Sequence, residues 1–291
     1  MTERNTTQVV GRLTKENGIC FVRPDNQRIS QDILIASDSV LQAKHGQYVS
    51  VQITHQPNKR NQAIGEVAEI LGEHMAPGME IDVAIRTHEI PHQWPAETTC
   101  EADLLAPEVA EADKYDRIDL RELPFVTIDG EDARDFDDAV YCEPATQGRG
   151  KSAVKGWRLL VAIADVSHYV QTGSDIDIDA YDRATSVYFP RRVIPMLPEK
   201  LSNGLCSLNP DVDRLCMVCD MLVTEDGTVQ AYQFYPAVMW SHARFTYTEV
   251  AAILGNTRGP EAIKRKALVP QLLDLHGVYE SLLKARQKRG A

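Results

Sequence analysis

The sequence predicts a multidomain β and α+β protein: a small closed β-barrel, then a larger mixed α+β domain. Three observations predict it. Five short extended segments separated by turn signals fill the first 72 residues. Further on, Trp157–Val166 is almost continuously apolar, as a strand buried on both faces of a sheet would be. Finally, leucines at helical spacing mark the last thirty residues.

The bulk numbers agree. A length of 291 residues suits about two domains. With 43% hydrophobic and 25% charged residues the chain can fill a sizeable core, which excludes a disordered class. It has no apolar run long enough to span a membrane and no leader-like start, so the expected setting is the cytoplasm, with no membrane partner. There the six cysteines are expected as free thiols. Cys216 and Cys219 have metal-ligand spacing, but no second pair follows and the run around them reads as a buried strand. The net charge of −11 argues against simple coating of nucleic acid; residues 1–72 carry +1 and the remainder −12.

The barrel strands are expected at Thr7–Leu13, Ile19–Arg23, Asp32–Ala36, Tyr48–Thr54 and Ala63–Leu71. The fourth is the clearest, with Val49, Val51 and Ile53 on one face and Ser50, Gln52 and Thr54 on the other. Five strands in so short a length suit the OB or cold-shock kind of barrel, which often binds single strands through aromatic stacking and a basic groove. Aromatic supply is thin here, Phe21 and Tyr48, and Lys59-Arg60 on a loop tip is the best phosphate contact. On the residues alone, a structural barrel and an RNA-binding one both stand.

Residues 73–116 read as a connector punctuated by proline and glycine, with a helical piece at Ala102–Lys114. His88 and His92 are four apart, but Pro91 between them prevents a shared helix face. The second domain is expected over 117–291. Its strands are Pro124–Ile128, Ala139–Tyr141 and Trp157–Val166, followed by a hairpin of Leu215–Val223 and Val229–Phe234 about Glu225-Asp-Gly227. Pro144–Lys155 reads as a small insertion. The irregular stretch from Tyr188 to Pro210 is long enough to suggest a functional segment. Pro260 to Ala291 reads as helix, with Leu268, Leu272, Leu275, Tyr279, Leu282 and Leu283 on its apolar face.

The informative segment is Asp129–Asp138, where six carboxylates fall within ten residues. A solvated acidic loop is the bland reading. Against it, the loop is anchored between apolar segments, and Phe136 demands burial that would draw its neighbours inward. Two carboxylates ~4 Å apart repel by about 4 kcal/mol at an effective dielectric of 20, so their convergence calls for protons or a cation. Aspartates without histidine or cysteine form a hard-oxygen set that favours magnesium or manganese over zinc or copper. Metal-assisted phosphate chemistry is the expectation; calcium binding is the rival, though EF-hand spacing is absent.

At these residues the chain resembles the RNB family of exoribonucleases. The matching strings are TIDGEDARDFDDAVYCE (127–143), GWRLLVAIADVSHYV (156–170), TSVYFP and VIPMLPEKLSNGLCSLNP within 185–210, VDRLCMVCDM (212–221) and SHARFTY (241–247). Residues 6–95 resemble a cold-shock domain and the segment after it in large family members. The resemblance implies processive hydrolysis of RNA from single-stranded 3′ ends to nucleoside 5′-monophosphates, with Mg2+ (Mn2+ as a possible substitute) and no small-molecule cofactor. It places the active-site acids at Asp129, Asp135, Asp137 and Asp138. All four are metal-site residues; Asp129, Asp135 and Asp138 mainly coordinate, and Asp137 matters most for chemistry. Tyr188 matches an aromatic that stacks on a terminal base. Arg191 and Arg192 are phosphate contacts or plain solvated arginines.

The family's catalytic domain is longer than residues 117–291, so the domain is expected here as its N-terminal part. Its catalytic arginine, second stacking aromatic and later glutamate are expected beyond Ala291. Such a fragment is expected to bind metal weakly and to degrade RNA slowly or not at all. Two alternatives stay open: a non-catalytic RNA-binding module, and an unrelated phosphatase built on Asp135-Phe-Asp137. Nothing in the sequence sets an oligomeric state.

Overall fold

In the computed structural model, residues 7–36, 38–58, 61–73, 77–148, 153–190 and 192–290 are described. They form two compact units: Met1–Trp94 with Val187–Ile194, and Pro95–Ser186 with Pro195–Ala291.

The first unit is built on a closed five-stranded barrel, β1 (Gln8–Glu16), β2 (Ile19–Pro24), β3 (Ile33–Ile35), β4 (Tyr48–His55) and β5 (Ile64–Gly72). Their order is β1-β2-β3-β5-β4, and antiparallel pairing of β1 with β4 closes the ring. Period-two patterning puts Leu13, Val22, Ile33, Val49 and Val51 inside, essentially inaccessible. Ser50 departs from the expected outward face: it is fully buried, its hydroxyl accepting from Gln8 Nε2 at 2.8 Å. A helix absent from the sequence reading, α1 (Met79–Thr87), lies against β1 and β5 and buries Met79 and Ile85.

In the second unit α2 (Ala96–Leu104) starts and stops earlier than the expected Ala102–Lys114. Leu105 is already extended, two residues before Pro107, and only a short 3-10 turn, Glu111–Lys114, follows. The sheet comprises β6 (Ile118–Asp119), β7 (Phe125–Asp129), β8 (Asp138–Gln147) and β9 (Val154–Ala164), joined after α3 (Val166–Tyr169), α4 (Asp175–Arg183) and the hairpin β10 (Val187–Phe189)–β11 (Arg192–Ile194) of the first unit by β12 (Asp213–Thr224) and β13 (Val229–Thr246). Its order is β12-β9-β8-β7-β13-β6, with β12 also paired to β13. The 18-residue β13 does double duty: Val229–Trp240 pairs antiparallel with β12, and Ser241–Thr246 runs parallel to β7 past an irregularity in register. The strands thereby return on themselves around a core of Phe125, Leu160, Leu205, Leu215 and Met239.

Both ends of Pro144–Lys155 are strand among the described residues: β8 continues to Gln147 and β9 begins at Val154, with Pro144 opposite Trp157 and Gln147 opposite Val154. The expected two-sided burial of β9 holds at Leu159 and Leu160 but not at Ile163, which is 47% exposed. Cys216 and Cys219 sit on β12 as free thiols, as read. The C-terminal helix breaks into α6 (Pro260–Lys264) and α7 (Val269–Lys288), after α5 (Tyr247–Gly255). On α7 it is Leu272, Leu275 and Val278 that pack on the sheet; Tyr279, Leu282 and Leu283 stay accessible. The sequence pattern places all of these near one face, and only the sheet's width selects among them.

Leu160 is fully buried in this core, so Leu160→Ala should cost ~2–5 kcal/mol in urea unfolding of the second unit, leaving the barrel's transition in place.

Candidate functional site

Asp129 ends β7 opposite Thr246, and Asp138 opens β8 opposite Ile163; residues 130–137 bridge them. The bridge is tied down chiefly through Phe136. Its ring is 2% exposed, and the Arg244 guanidinium lies over it, 4.2 Å from the centroid. Its N–H donates to Ser207 Oγ at 3.0 Å, and its carbonyl accepts from the Leu208 N–H at 2.8 Å. Arg244 also donates to the Ala133 carbonyl at 2.8 Å, and the Ala164 N–H donates to the Asp137 carbonyl at 2.9 Å. With Phe136 turned in, Asp135 is half-buried and Asp137 and Asp138 reach the surface.

The four aspartates named from the sequence act on one another. The Asp137 carboxyl is pushed above the usual carboxylate range by partial burial, then by the charges of Asp135, Asp138 and Asp129; every influence on it has the same sign. Asp138 is raised by partial burial and then by Asp129. Although both are open to solvent on one side, the protein beneath them withholds enough water to disfavour charge. Asp129 Oδ1 accepts from the Gly130 N–H at 2.7 Å. The Tyr247 phenol is raised above its ordinary range chiefly by the Asp129 charge, then by burial and Asp138. Beneath the loop, burial foremost and Asp137 next push the Cys206 thiol up to about 12.

Among the described residues, no three His, Cys, Asp or Glu side chains are gathered into coordinating geometry. What converges is charge rather than ligand atoms. An all-carboxylate set in which Asp137 and Asp138 are raised by burial and by neighbouring carboxylates fits a hard divalent cation, which would relieve that repulsion. Asp129, Asp135, Asp137 and Asp138 are the residues that would hold it. An open cleft of about 630 Å3 adjoins the loop, lined by Glu131, Thr246, Thr248, Glu249, Lys264 and Arg265. Its cations are already engaged, Arg265 with Glu249 at 3.2 Å and Lys264 with Glu261 at 2.9 Å.

Tyr188 lies in the other unit, on β10 opposite Val193, and is 65% exposed. Arg192 on β11 pairs with Asp82 of α1 at 2.9 Å. Lys59, Arg60 and Arg191 lie outside the described residues. Sequence reasoning passed over Ser207, Arg244 and Tyr247. All three lie in strings that stood out (LSNGLCSLNP and SHARFTY), but pairing of β13 with β7 was needed to carry Arg244 and Tyr247 to the loop, and the fold-back of 201–209 to bring Ser207 there.

The comparisons with known proteins now bear on this arrangement. The RNB domain family matches residues 117–291, and the cold shock domain family matches residues 21–95. The chain belongs to the RNB family. More particularly, it is similar to ribonuclease R: 54% identical to that of Vibrio cholerae over 291 residues, and 53% identical to that of Escherichia coli over 287. These alignments cover 99% and 98% of this chain but 34% of each relative, so the chain spans about a third of their length. Among solved structures, Mycoplasma genitalium RNase R in complex with double-stranded RNA matches with a TM-score of 0.86 and 29% identity, over 99% of this chain and 49% of that one. Yeast Ssd1, a pseudonuclease, shares the fold at a TM-score of 0.66 and 13% identity, over 90% of this chain and 33% of that one. Nucleases of the RNB family are generally dependent on divalent metal.

The raised Asp137 carboxyl gives a prediction. Its folded-state value lies above the ordinary one, so ionised Asp137 weakens the fold at neutral pH; that penalty is absent below the ordinary carboxylate range and appears as pH rises through the raised value. In metal-free buffer Asp137→Asn should therefore melt higher than the parent at pH 7, with the gain vanishing on acidification. Added Mg2+ should raise the parent's Tm more than the variant's.

Proposed function

We propose that the chain carries the acidic centre and the cold-shock barrel of a magnesium-dependent 3′-to-5′ exoribonuclease of the ribonuclease R kind. On this reading it works processively on single-stranded RNA ends in the cytoplasm, releasing nucleoside 5′-monophosphates. The observation that carries it is that neighbouring carboxylates raise two acids, Asp137 (by Asp135, Asp138 and Asp129) and Asp138 (by Asp129), beyond the effect of burial, about a loop anchored by Phe136.

A bound divalent ion would polarise the phosphoryl group and favour ionisation of an attacking water. The chain's own residues supply the rest. Asp129, Asp135 and Asp138 present hard oxygens, with Asp129 oriented by the Gly130 N–H. Asp137, the acid most strongly surrounded by like charge, is the one we assign to the chemical step. Burial of Phe136 under Arg244 holds the loop backbone, so the acids need not be ordered anew when substrate arrives. Tyr188 offers an exposed ring on which a terminal base can stack, worth roughly 1–3 kcal/mol per base. Lys59, Arg60 and Arg191 remain phosphate contacts read from sequence.

The second reading, a non-catalytic RNA-binding module, is favoured by one observation: a pseudonuclease shares this fold, so the fold itself does not confer cleavage. Asp137→Asn separates the two. With end-labelled single-stranded RNA and Mg2+, the variant should bind within about twofold of the parent while any cleavage by the parent falls ~100-fold or more, the scale of losing a group that acts in the chemical step. Parent turnover is expected to be slow beside full-length ribonuclease R. Cleavage undiminished in Asp137→Asn would remove the mechanism; RNA binding with no metal-dependent cleavage in the parent would favour the module.

A further inference from the structure

The hairpin that carries Tyr188 is grouped with the barrel, although the residues on either side of it belong to the other unit. Its own pairing is slight: Val187 with Ile194, Tyr188 with Val193, and Phe189 with Arg192. A lone two-stranded ribbon of this length is marginal in water. Its apolar anchoring is one-sided: Ile194 is buried, while Val193 is 43% exposed and Tyr188 more so. A polar contact adds direction at the other end of β11.

A line of four charged side chains runs from the barrel to this ribbon. Glu69 of β5 grips Arg86 of α1 with both carboxylate oxygens, at 2.8 Å to Nε and 2.6 Å to Nη2. The Arg86 side chain is only 9% exposed, and its Nη1 reaches Asp82 Oδ1 at 3.3 Å, one helical turn earlier. That same oxygen accepts from Arg192 Nη1 of β11 at 2.9 Å. An isolated surface ion pair achieves little because two long side chains must be immobilised. Here Arg86 is already fixed by the fork of Glu69, so Asp82 is held ready and only Arg192 has to be ordered. Neighbouring positions on a strand face opposite ways. Arg192 is paired across from Phe189, and Tyr188 is paired across from Val193, so Arg192 and Tyr188 lie on opposite faces of the ribbon.

We propose that Asp82 is a positioning residue for Tyr188: through Arg192 it fixes the tyrosine-bearing ribbon to α1. Arg192 is on this account a structural tether rather than a phosphate contact. The proposal rests on the reading of Tyr188 as a base-stacking residue.

The test uses the full chain and an oligoadenylate RNA ending in 2-aminopurine, whose fluorescence is quenched when the terminal base stacks. Amide hydrogen exchange across 187–194 is followed separately, without RNA. Asp82→Asn and Arg192→Gln should each weaken quench-monitored binding about two- to fivefold, the size of one good exposed ion pair. The double variant should be no weaker than either alone, Arg192→Lys should recover part of the loss, and the salt dependence of binding should not change. Both single variants should speed exchange across the ribbon, whereas Tyr188→Ala should abolish quenching without doing so. Were Arg192 a phosphate contact, Arg192→Gln would flatten the salt dependence by ~0.7 in log–log slope, and Asp82→Asn would strengthen binding by freeing the arginine; either result overturns the tether. Unchanged exchange in Asp82→Asn overturns it too, whatever the quenching shows. Quenching that survives Tyr188→Ala instead sinks the stacking reading itself.

Discussion

Burial of Phe136 is the constraint on which the second unit's site depends. An acidic segment of this density gains by spreading into water, and only a large apolar side chain in its middle opposes that. A buried phenylalanine removes on the order of 150–250 Å2 from water, roughly 4–6 kcal/mol before entropy is counted. Repulsion between two carboxylates ~4 Å apart is about 4 kcal/mol at an effective dielectric of 20. The two are comparable, so Phe136 can keep the acids near one another without drawing them into contact. The structure shows that compromise: Asp137 and Asp138 are raised by burial and by neighbouring carboxylates, yet no three acids stand in coordinating geometry among the described residues. The further approach of the side chains is left for a cation to drive.

The surrounding fold serves that anchor. Leu201–Asn209, irregular in sequence, folds back so that Ser207 and Leu208 satisfy the backbone on both sides of Phe136. An unpaired buried N–H or carbonyl there would cost on the order of 1–3 kcal/mol, as much as many side-chain truncations. Arg244 covers the ring from β13, and its guanidinium also ties Ala133. Because β13 reaches the loop only after leaving β12 for β7, the change of partner along one strand is what brings this arginine to the site.

In the first unit charge does the placing. The ribbon bearing Tyr188 buries Ile194 but leaves Tyr188 and Val193 accessible, and the Glu69–Arg86–Asp82–Arg192 line supplies direction. The acidic loop is held by an apolar contact amid charges, and the ribbon by charges amid accessible apolar side chains.

Patterning and composition by themselves determined the barrel, whose five strands were readable because alternation survives in strands this short and turn residues separate them. They also determined the acidic segment and the aspartates within it, since a run of carboxylates around one phenylalanine is visible in one dimension. They did not fix Ala96–Leu104, where periodicity is weak, or Met79–Thr87, which is amphipathic but so short that packing against the barrel decides it. Nor did they give the buried stripe of α7, because several leucines compete for one face and only the sheet decides which of them fit. Ser50, Ser207 and Arg244 are ordinary polar residues until another strand or loop reaches them. Tertiary structure alone decided their roles, as it decided that Arg192 meets Asp82 across 110 residues of sequence. Long-range partners are set by which segments share a surface after collapse, and no local pattern encodes that.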